Sequence, residues 1–476
     1  MVRAAPPVRN QRVSFAAAFQ AFPRLFSSCS GSPMTVSDSA LPAACDVLVV
    51  GAGPAGSAAA RTLARAGLHV VLADQHAFPR DKVCGDGLIP DAHHALRKLG
   101  VLGEVMAAAR RARHVGCIGP SGRRIDVPGE LAVLPRRRLD HILCRAAVSA
   151  GATLLAPARF EAPLEDGDGR VAGARFRIDG RAAPHELRAR WLVLATGAVP
   201  QALIAAGMCE RRTPSGIALR GYVKNDAMVG RIRDLDVIWH PKLAPGYGWI
   251  FPCPDGVFNV GVGVAHSHQI RDGRSAMRDV NLREVFAAFA RVHAPLRELL
   301  DGGTWLDTPA DAAGQAADVS RPSASAAAGG PPRRDGPGTA LKGAPLRCSL
   351  EGARLTRPGL IVTGEAAGST YAFTGEGIGK ALETGIHAAE AILAGPEDAS
   401  VRADYEARVL ALKPRFAMYE KANRVNAHPW LVDLLIWSAK RNPRRLARMA
   451  GVLDETHIPT DAVTVRGVLR AIFVRH

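Results

Sequence analysis

A glycine-spaced turn near the start of the chain constrains its fold more than any other feature. Residues 45–50, CDVLVV, have the apolar, β-branched composition of a buried parallel strand. GAGPAG follows directly, and the next residues, SAAARTLARAG, have the small side chains of a helix that packs closely on a sheet. A second strand-like run, HVVLAD at 69–74, closes with an acidic residue. This order predicts a nucleotide-binding βαβ unit.

Each glycine of the turn has its own physical task. Gly51 permits the tight turn, Gly53 lets the backbone approach a pyrophosphate, and Gly56 allows close packing of helix on strand. The helix N-terminus attracts negative charge, and Asp74 can accept hydrogen bonds from a ribose 2′-hydroxyl. The set predicts a bound dinucleotide rather than a glycine-rich turn without a ligand. The predicted contacts are Gly51, Gly53, Pro54, Ala55, Gly56 and Asp74.

Two segments far along the chain indicate which dinucleotide binds. Residues 190–198, RWLVLATGA, run from a strand into Ala-Thr-Gly. Residues 359–392 read as a strand, a Gly-Glu loop, a second glycine-rich turn and a long helix. Amides at the start of that helix could face the N1–C2=O edge of a flavin and stabilise its reduced anion. Together with the first motif, these segments resemble the FAD-binding fold of the glutathione-reductase type, in the branch of p-hydroxybenzoate hydroxylase.

That resemblance implies a set of cofactor contacts. Glu365 stands where aspartate is usual and would bind the ribityl and ribose side of the flavin. Arg136, in PRRRLD, resembles an arginine that lies near the cofactor, with a surface basic turn as the alternative. FAD is therefore the expected cofactor. The further contacts are Thr196, Gly197, Gly364, Gly375, Gly377 and Ile378.

Three short motifs indicate which family of FAD-dependent enzymes the chain resembles. YGWIFP at 247–252 fits the pattern Tyr-x-Trp-x-Phe-Pro, and it occurs with FPRDKVCGDGL at 78–88 and FTGEGI at 373–378. Together they resemble the geranylgeranyl reductase family, whose members use reduced FAD to saturate isoprenoid double bonds. The Gly-Ala-Asp-Gly of aromatic hydroxylases and the Trp-x-Trp-x-Ile-Pro of flavin halogenases are not found. The implied substrate is a prenyl lipid, a prenyl diphosphate or a menaquinone tail, and the CGDGL form is similar to members that reduce menaquinone.

The resemblance makes KVCGDG a loop over the flavin. Lys82 and Gly85 would approach the cofactor, and Cys84 would lie near its reactive face. The thiol could relay a proton or shape the cavity, and the neighbouring lysine predicts a lowered thiol pKa. The alternative is that Cys84 is a small packing residue. An aromatic wall of the isoprenoid cavity is expected from Tyr222, Tyr247, Trp249 and Phe251, with core packing as the alternative.

Two other functions stay open. An FAD-dependent monooxygenase would hydroxylate an aromatic or polyketide-like substrate, and a non-catalytic flavoprotein would bind FAD without turnover. For the reductase, no separate nicotinamide-binding unit is visible, so the external reductant could be NAD(P)H, a ferredoxin or a quinol.

The expected fold class is α/β, a Rossmann-like FAD-binding domain (three-layer ββα) with an antiparallel-sheet substrate domain and a helical C-terminal region. Residues 1–44 are expected to be a disordered extension or the product of a start codon assigned too early, because Met34 lies just ahead of the first strand. The other predicted divisions are the first part of the FAD-binding domain (45–210), the substrate domain (211–308), a flexible low-complexity insertion (309–338), the second part of the FAD-binding domain (339–395) and the helical region (396–476).

The charge balance bears on partners and location. A formal net charge of +17 indicates an anionic partner or a solvated basic surface, and no aromatic–basic interleaving points to nucleic acid. Residues 428–453 place a tryptophan-bearing apolar run beside a basic run, which suits a membrane interface or a packed helix. Eight scattered cysteines indicate free thiols and no metal site. The expected location is cytoplasmic, extending to peripheral contact with the membrane, or an organelle if residues 1–37 are a transit peptide.

Overall fold

The computed structural model describes residues 41–265, 270–271, 274–275, 280–307, 340–453 and 455. The predicted N-terminal extension up to residue 40 and the predicted insertion at 309–338 lie outside these residues. The described chain forms two large sheets, with helices packed on the first sheet and across the end of the second.

The strands are β1 (Ala44–Val50), β2 (Val70–Ala73), β3 (Gly87–Leu88), β4 (Arg110–Ile118), β5 (Arg124–Val133), β6 (Thr153–Leu155), β7 (Arg159–Glu165), β8 (Val171–Arg177), β9 (His185–Leu194), β10 (Gly216–Lys224), β11 (Leu235–Ile238), β12 (Gly246–Pro252), β13 (Val257–Ala265), β14 (Ile270–Arg271), β15 (Arg274–Ser275), β16 (Thr304–Leu306), β17 (Lys342–Leu346), β18 (Thr356–Arg357) and β19 (Leu360–Val362).

The helices are α1 (Pro54–Arg65), α2 (Pro90–Lys98), α3 (Leu102–Ala108), α4 (Arg136–Ser149), α5 (Gln201–Ala205), α6 (Leu282–Val292), α7 (Ala294–Asp301), α8 (Ile378–Ala394), α9 (Asp398–Ala422), α10 (Arg424–Ala427), α11 (Trp430–Arg441) and α12 (Pro443–Leu453). Among these described helices, none is long and apolar enough to cross a membrane.

The first sheet is built around the predicted βαβ unit. Its main strand order is β18-β19-β9-β1-β2-β6, and β1 lies parallel to both β2 and β9. Side chains alternate across a strand, so Val47 and Val49 face a layer of helices that includes α1 and α8. Leu48 faces the other side, where it packs with Phe176 and Leu187 from the β7-β8-β9 meander. This arrangement confirms the predicted Rossmann-like fold class.

The second sheet is mostly antiparallel and contains β10, β11, β12 and β13 from the stretch predicted as the substrate domain. Its order is β16-β10-β13-β12-β11-β4-β5-β3, with β17 also paired to β10. The predicted division at residue 210 needs one correction, because β4 and β5 belong to this sheet and not to the first. Strand β11 lies parallel to β4, with Leu235 opposite Val115, and it thereby gains a hydrogen-bonded neighbour on its outer edge.

The C-terminal helices close one end of the second sheet. On α11, Val432 and Ile436 are buried against Ile125 and Trp239. Asp433 of the same helix accepts a hydrogen bond from the Ser121 hydroxyl at 2.6 Å. The predicted helical region is therefore docked on β4, β5 and the residue that follows β11.

Candidate functional site

One large cavity lies between the two sheets. Its volume is about 1780 Å³, well beyond the roughly 300–1,000 Å³ of an ordinary small-molecule pocket. It begins at the turn between β1 and α1 and ends among side chains of α11 and α12. The cavity therefore has room for a dinucleotide and for a second, extended ligand.

The glycine-rich turn at one end has the geometry that its sequence predicts. Gly51 has φ +102°, and a Cβ there would overlap the carbonyl oxygen of Ala195. A Cβ on Gly56 would overlap the carbonyl oxygen of Gly51, so this glycine serves packing behind the cavity wall. Gly53 faces the cavity, and the atoms nearest a Cβ there are guanidinium nitrogens at 3.7 Å. A ligand phosphate could approach this backbone closely.

Two arginines hold positive charge beside Gly53. Arg136 forms a bidentate pair with Asp140, at 2.6 and 2.8 Å, and is buried rather than part of a surface turn. Arg80 bonds Asp140 at 3.0 Å and Asp74 at 3.3 Å. Asp74 also accepts the Ala52 N–H at 2.9 Å. Guanidinium groups fixed in this way suit a pyrophosphate, and Asp74 borders the same cavity with acceptor capacity left for a ribose.

The other predicted cofactor segments border the same cavity. Thr196 has a buried hydroxyl without a hydrogen-bond partner among the described residues. A Cβ on Gly197 would lie 4.0 Å from Glu365 Oε2, so the Ala-Thr-Gly loop faces that carboxylate. Gly364 is buried behind the wall, where its N–H donates to Thr384 Oγ1 at 3.1 Å. The unpartnered hydroxyl and the facing carboxylate fit the hydroxyl-rich ribityl and ribose parts of FAD.

The start of α8 is directed at the cavity. Gly377 is the N-cap of this helix, and Gly375, Gly377 and Ile378 all border the cavity. Gly375 has φ +71°, a left-handed conformation that glycine adopts without strain. The helix thus presents the positive end of its dipole to a ligand in the cavity, as the sequence predicts for a reduced flavin.

The KVCGDG loop is anchored by a buried carboxylate. Asp86 is fully buried and accepts hydrogen bonds from the Tyr222 hydroxyl at 2.5 Å and from Asn259 Nδ2 at 2.7 Å. The backbone N–H of Arg136 also donates to Asp86, at 3.2 Å. Burial raises the pKa of Asp86 to about 6, and Arg220 opposes that shift. The loop that borders the cavity through Lys82, Cys84 and Gly85 is therefore fastened to the second sheet.

Cys84 differs from its prediction in one respect. Burial raises the pKa of its thiol, and the charge of Arg136 opposes burial more than the charge of Lys82 does. The predicted lowering of this pKa is wrong because desolvation outweighs the nearby cations. The Cys84 sulfur accepts the Asp86 N–H at 3.3 Å. The group at this position is a neutral thiol.

Aromatic side chains form a continuous wall beyond the loop. Tyr247, Trp249 and Phe251 occupy alternate positions of β12, with neighbouring ring centroids 6.2 and 6.4 Å apart. Trp239 extends the wall at 6.0 Å from Tyr247 and stacks on Phe373 at 6.1 Å. All five rings border the cavity.

The far end of the cavity is apolar with a basic margin. Its walls come from the last two helices of the described chain. The residues there include Trp430, Leu431, Leu434, Leu435, Met449 and Val452, with Arg445 and Arg448 beside them. A long apolar ligand could extend from the flavin end to this region.

Comparison with known proteins agrees with this geometry. Residues 44–238 match the family model of the FAD binding domain. A menaquinone reductase from Mycobacterium tuberculosis is 38% identical over 244 residues, which cover 48% of this chain and 56% of the relative. A digeranylgeranylglycerophospholipid reductase from Thermoplasma volcanium is 24% identical over 447 residues, which cover 90% of this chain and 95% of the relative. The chain is thus similar to proteins named menaquinone reductase and digeranylgeranylglycerophospholipid reductase.

A solved structure gives the same relationship at the level of fold. A geranylgeranyl bacteriochlorophyll reductase-like protein from Thermoplasma acidophilum superposes with a TM-score of 0.64 at 22% identity, covering 90% of this chain and 96% of that one. The chain spans about half the length of the menaquinone reductases that it matches. The matched FAD binding domain confirms the predicted FAD cofactor, and the similar proteins confirm the predicted family resemblance.

Sequence reasoning misplaced one residue of the site and missed others. Tyr222 is fully buried in β10 and does not border the cavity. Its hydroxyl donates a hydrogen bond to Asp86. The anchors Asp86 and Asn259 were missed, although a polar residue inside the apolar run VFNVGVGV was a usable signal. Trp239 and Phe373 were missed because tertiary packing alone brings them together.

Proposed function

We propose that the protein is an FAD-dependent oxidoreductase that reduces C=C bonds of an isoprenoid chain by hydride transfer. The observation that carries the proposal is the continuity of the cavity. A turn, two arginines and a helix N-terminus suited to FAD share one space with an aromatic wall and an apolar far end. Isoprenoid chains are long and apolar, so they match a cavity of this shape and lining.

In this proposal one set of residues binds FAD, and another set orients the double bond of the substrate. Reduced FAD, when bound, supplies a hydride. The aromatic wall excludes water and orients the double bond, which favours transfer to a poor acceptor. The residues proposed to hold the cofactor are Gly51, Gly53, Pro54, Ala55, Asp74, Lys82, Gly85, Arg136, Thr196, Gly197, Glu365, Gly375, Gly377 and Ile378, with Gly56 and Gly364 supporting them by packing.

The proposed substrate class is a prenyl lipid or the prenyl tail of a menaquinone. The names of the relatives support this class, since they include menaquinone reductase and digeranylgeranylglycerophospholipid reductase. For Cys84 we propose a role in shaping the cavity beside the flavin, because its buried thiol stays protonated. The external reductant is proposed among NAD(P)H, a ferredoxin or a quinol.

We also propose that the last two helices contact an anionic membrane surface. Trp430, at the start of α11, is 60% exposed and also borders the far end of the cavity. Lys440, Arg441 and Arg444 are exposed nearby. An interfacial tryptophan beside basic side chains suits a lipid surface. A lipid tail could enter the cavity directly from this side.

The function is tested by product masses. The purified protein, with its flavin kept reduced, is incubated with a panel of prenyl lipids that includes menaquinone. The reductase predicts products heavier by two hydrogens. Oxygen uptake with products heavier by one oxygen atom would favour a monooxygenase, and FAD binding without any product would favour a non-catalytic flavoprotein.

A further inference from the structure

A carboxyl group that the function above does not use borders the cavity at the start of α8. Glu376 lies in the FTGEGI segment, and its side chain accepts a hydrogen bond from Thr374 Oγ1 at 3.2 Å. Its backbone carbonyl accepts the Tyr371 N–H at 2.8 Å. The Tyr247 hydroxyl donates to the carbonyl of Thr374. These bonds hold Glu376 next to the aromatic wall and beside the helix N-terminus that faces the flavin end.

A row of ionisable groups leads away from Glu376. Asp91 of α2 is buried, and its Oδ1 has no hydrogen-bond partner among the described residues. Lys380 Nζ lies 3.9 Å from Asp91 Oδ2, and it bonds Glu383 at 2.5 Å and Glu455 at 2.9 Å. The side chain of Lys380 is 2% exposed, whereas that of Glu383 is 32% exposed. Asp91 lies against Gly379, three residues along the chain from Glu376, so the row extends from this neighbourhood to the partly exposed Glu383.

Burial, together with nearby carboxylates, favours the protonated form of Glu376 near neutral pH. Burial raises the pKa of Glu376 to about 8, and the charges of Asp91 and Glu455 add to the shift. The Thr374 hydrogen bond and Lys380 oppose it. Burial likewise raises the pKa of Asp91 to about 7, against the charge of Lys380. The phenols of Tyr247 and Tyr419 also face this group, and burial raises the pKa of both so that they stay neutral.

We propose that Glu376 donates the proton that completes reduction of the double bond, and that Asp91 and Lys380 reload it from solvent. The proposal rests on the proposed function. The π bond breaks, one carbon takes the hydride from the reduced cofactor, and the other forms its C–H bond with the Glu376 proton. The carboxylate left on Glu376 takes a proton from Asp91, which recovers one through the Lys380 and Glu383 end of the row. Each turnover thus consumes one hydride and one solvent proton.

Glu376 suits this task better than the thiol of Cys84. A general acid works best when its pKa lies near the operating pH, and the raised thiol pKa moves Cys84 away from that range. A solvent-connected donor can also be recharged while the substrate fills the cavity. Cys84 packs partly against an apolar cluster that includes Ala58 and Leu88.

The test compares Glu376→Gln, Glu376→Asp and the control Glu390→Gln on α8, whose carboxylate pairs with Lys98 and Arg408 outside the cavity. Each holoenzyme is reduced anaerobically with dithionite and mixed with menaquinone in detergent. We expect flavin reoxidation in Glu376→Gln to be at least about 100-fold slower than in wild type. The wild-type rate should fall above about pH 8, where Glu376 loses its proton, and this fall should be absent in Glu376→Gln. Glu376→Asp should recover part of the rate, and Glu390→Gln should match wild type. A Glu376→Gln rate and pH profile equal to wild type would overturn the proposal.

Two further readouts separate this inference from the function it rests on. Infrared difference spectra at about pH 7, recorded without substrate, should show one protonated carboxyl band in wild type that Glu376→Gln lacks. A wild-type spectrum without this band would overturn the proposal. Asp91→Asn should keep a normal first turnover and slow the later ones, since only reloading is impaired. If wild type never transfers hydride to an isoprenoid while the carboxyl band is present, the proposed function fails, and with it the donor role, although the protonation of Glu376 stands.

Discussion

The indole Nε1 of Trp249 donates a hydrogen bond to Asn259 Oδ1 at 2.9 Å. The same amide donates through Nδ2 to Asp86 at 2.7 Å and to the carbonyl of Cys84 at 2.8 Å. One buried side chain thus joins the aromatic wall to the loop proposed to cover the flavin. The placement of the substrate wall and that of the flavin loop depend on each other through Asn259.

Removing this junction should weaken both halves of the site. Asn259→Leu leaves Asp86 and the Trp249 indole short of partners in a buried place, which should lower the free energy of unfolding by about 2–4 kcal/mol. Trp249→Phe removes only one of these bonds and should cost about 1 kcal/mol. Urea denaturation with a parallel FAD titration checks both values. Equal stability of Asn259→Leu and wild type would contradict the role of this amide.

Two of the three glycines of the turn, Gly53 and Gly56, should separate cofactor binding from folding. Gly53→Ala places its Cβ in the cavity, 3.7 Å from the nearest guanidinium nitrogens, so the apoprotein should stay within about 0.5 kcal/mol of wild type while FAD affinity falls. Gly56→Ala overlaps the carbonyl of Gly51 and should destabilise the apoprotein itself by about 1–3 kcal/mol. Thermal unfolding of apoprotein and FAD titration measure the two effects. A destabilised Gly53→Ala apoprotein, together with a Gly56→Ala apoprotein as stable as wild type, would contradict the roles assigned to these glycines.

Asp86 should make stability depend on pH in a defined direction. Because burial raises its folded pKa from 3.8 to about 6, its stabilising contribution is complete below about pH 4 and is lost as pH rises through about 6. The stability of wild type relative to Asp86→Asn should therefore fall over this window, by up to about 3 kcal/mol. Urea unfolding of both proteins between about pH 4 and pH 7 gives the difference. A difference that is constant with pH would mean that Asp86 titrates normally.

Cys84 should react slowly with alkylating agents. The thiolate is the reactive form, and burial raises the pKa of this thiol. Iodoacetamide labelling of the folded protein at about pH 8, followed by peptide masses, should modify Cys84 more slowly than the same cysteine in urea. Cys84→Ser should keep flavin reoxidation within a few-fold of wild type. Fast labelling, or loss of turnover with FAD still bound, would restore a chemical role for the thiol.

The C-terminal surface should bind anionic vesicles in a salt-dependent way. Replacing Lys440, Arg441 and Arg444 by glutamate removes exposed positive charge without touching the cavity, and Trp430→Ala removes the exposed indole. Both variants should float with anionic vesicles less than wild type does at about 0.1 M salt. A surface charge reversal at Arg110 and Arg123, which lie outside α11 and α12, serves as the control. Equal flotation of all variants would remove the membrane proposal.

The sequence predicts the flavin end of the molecule well because its signals are local. The order of strand, glycines, helix and acid at residues 45–74 determines its own geometry, and β1, α1 and β2 follow it closely. The second segment, 359–392, succeeds for the same reason, since its strand and helix flank their glycines directly. Turn chemistry and apolar periodicity are properties of neighbouring residues, so one sequence suffices to identify them.

The remaining features depend on contacts between distant parts of the chain. Strand β4 joins the second sheet because Val115 pairs beside Leu235, which no local pattern near either residue shows. Tyr222 was expected in the cavity because strand composition does not reveal which face of β10 is covered. Its hydroxyl instead meets Asp86, whose raised pKa is likewise a consequence of tertiary burial.

The most direct test of the account is the stoichiometry of a single anaerobic turnover. Dithionite-reduced holoenzyme is mixed with menaquinone, and flavin absorbance and lipid mass are followed in the same sample. We expect one lipid heavier by two hydrogens for each flavin that is reoxidised, with no oxygen present. Flavin that stays reduced until air is admitted, with the lipid mass unchanged, would contradict it.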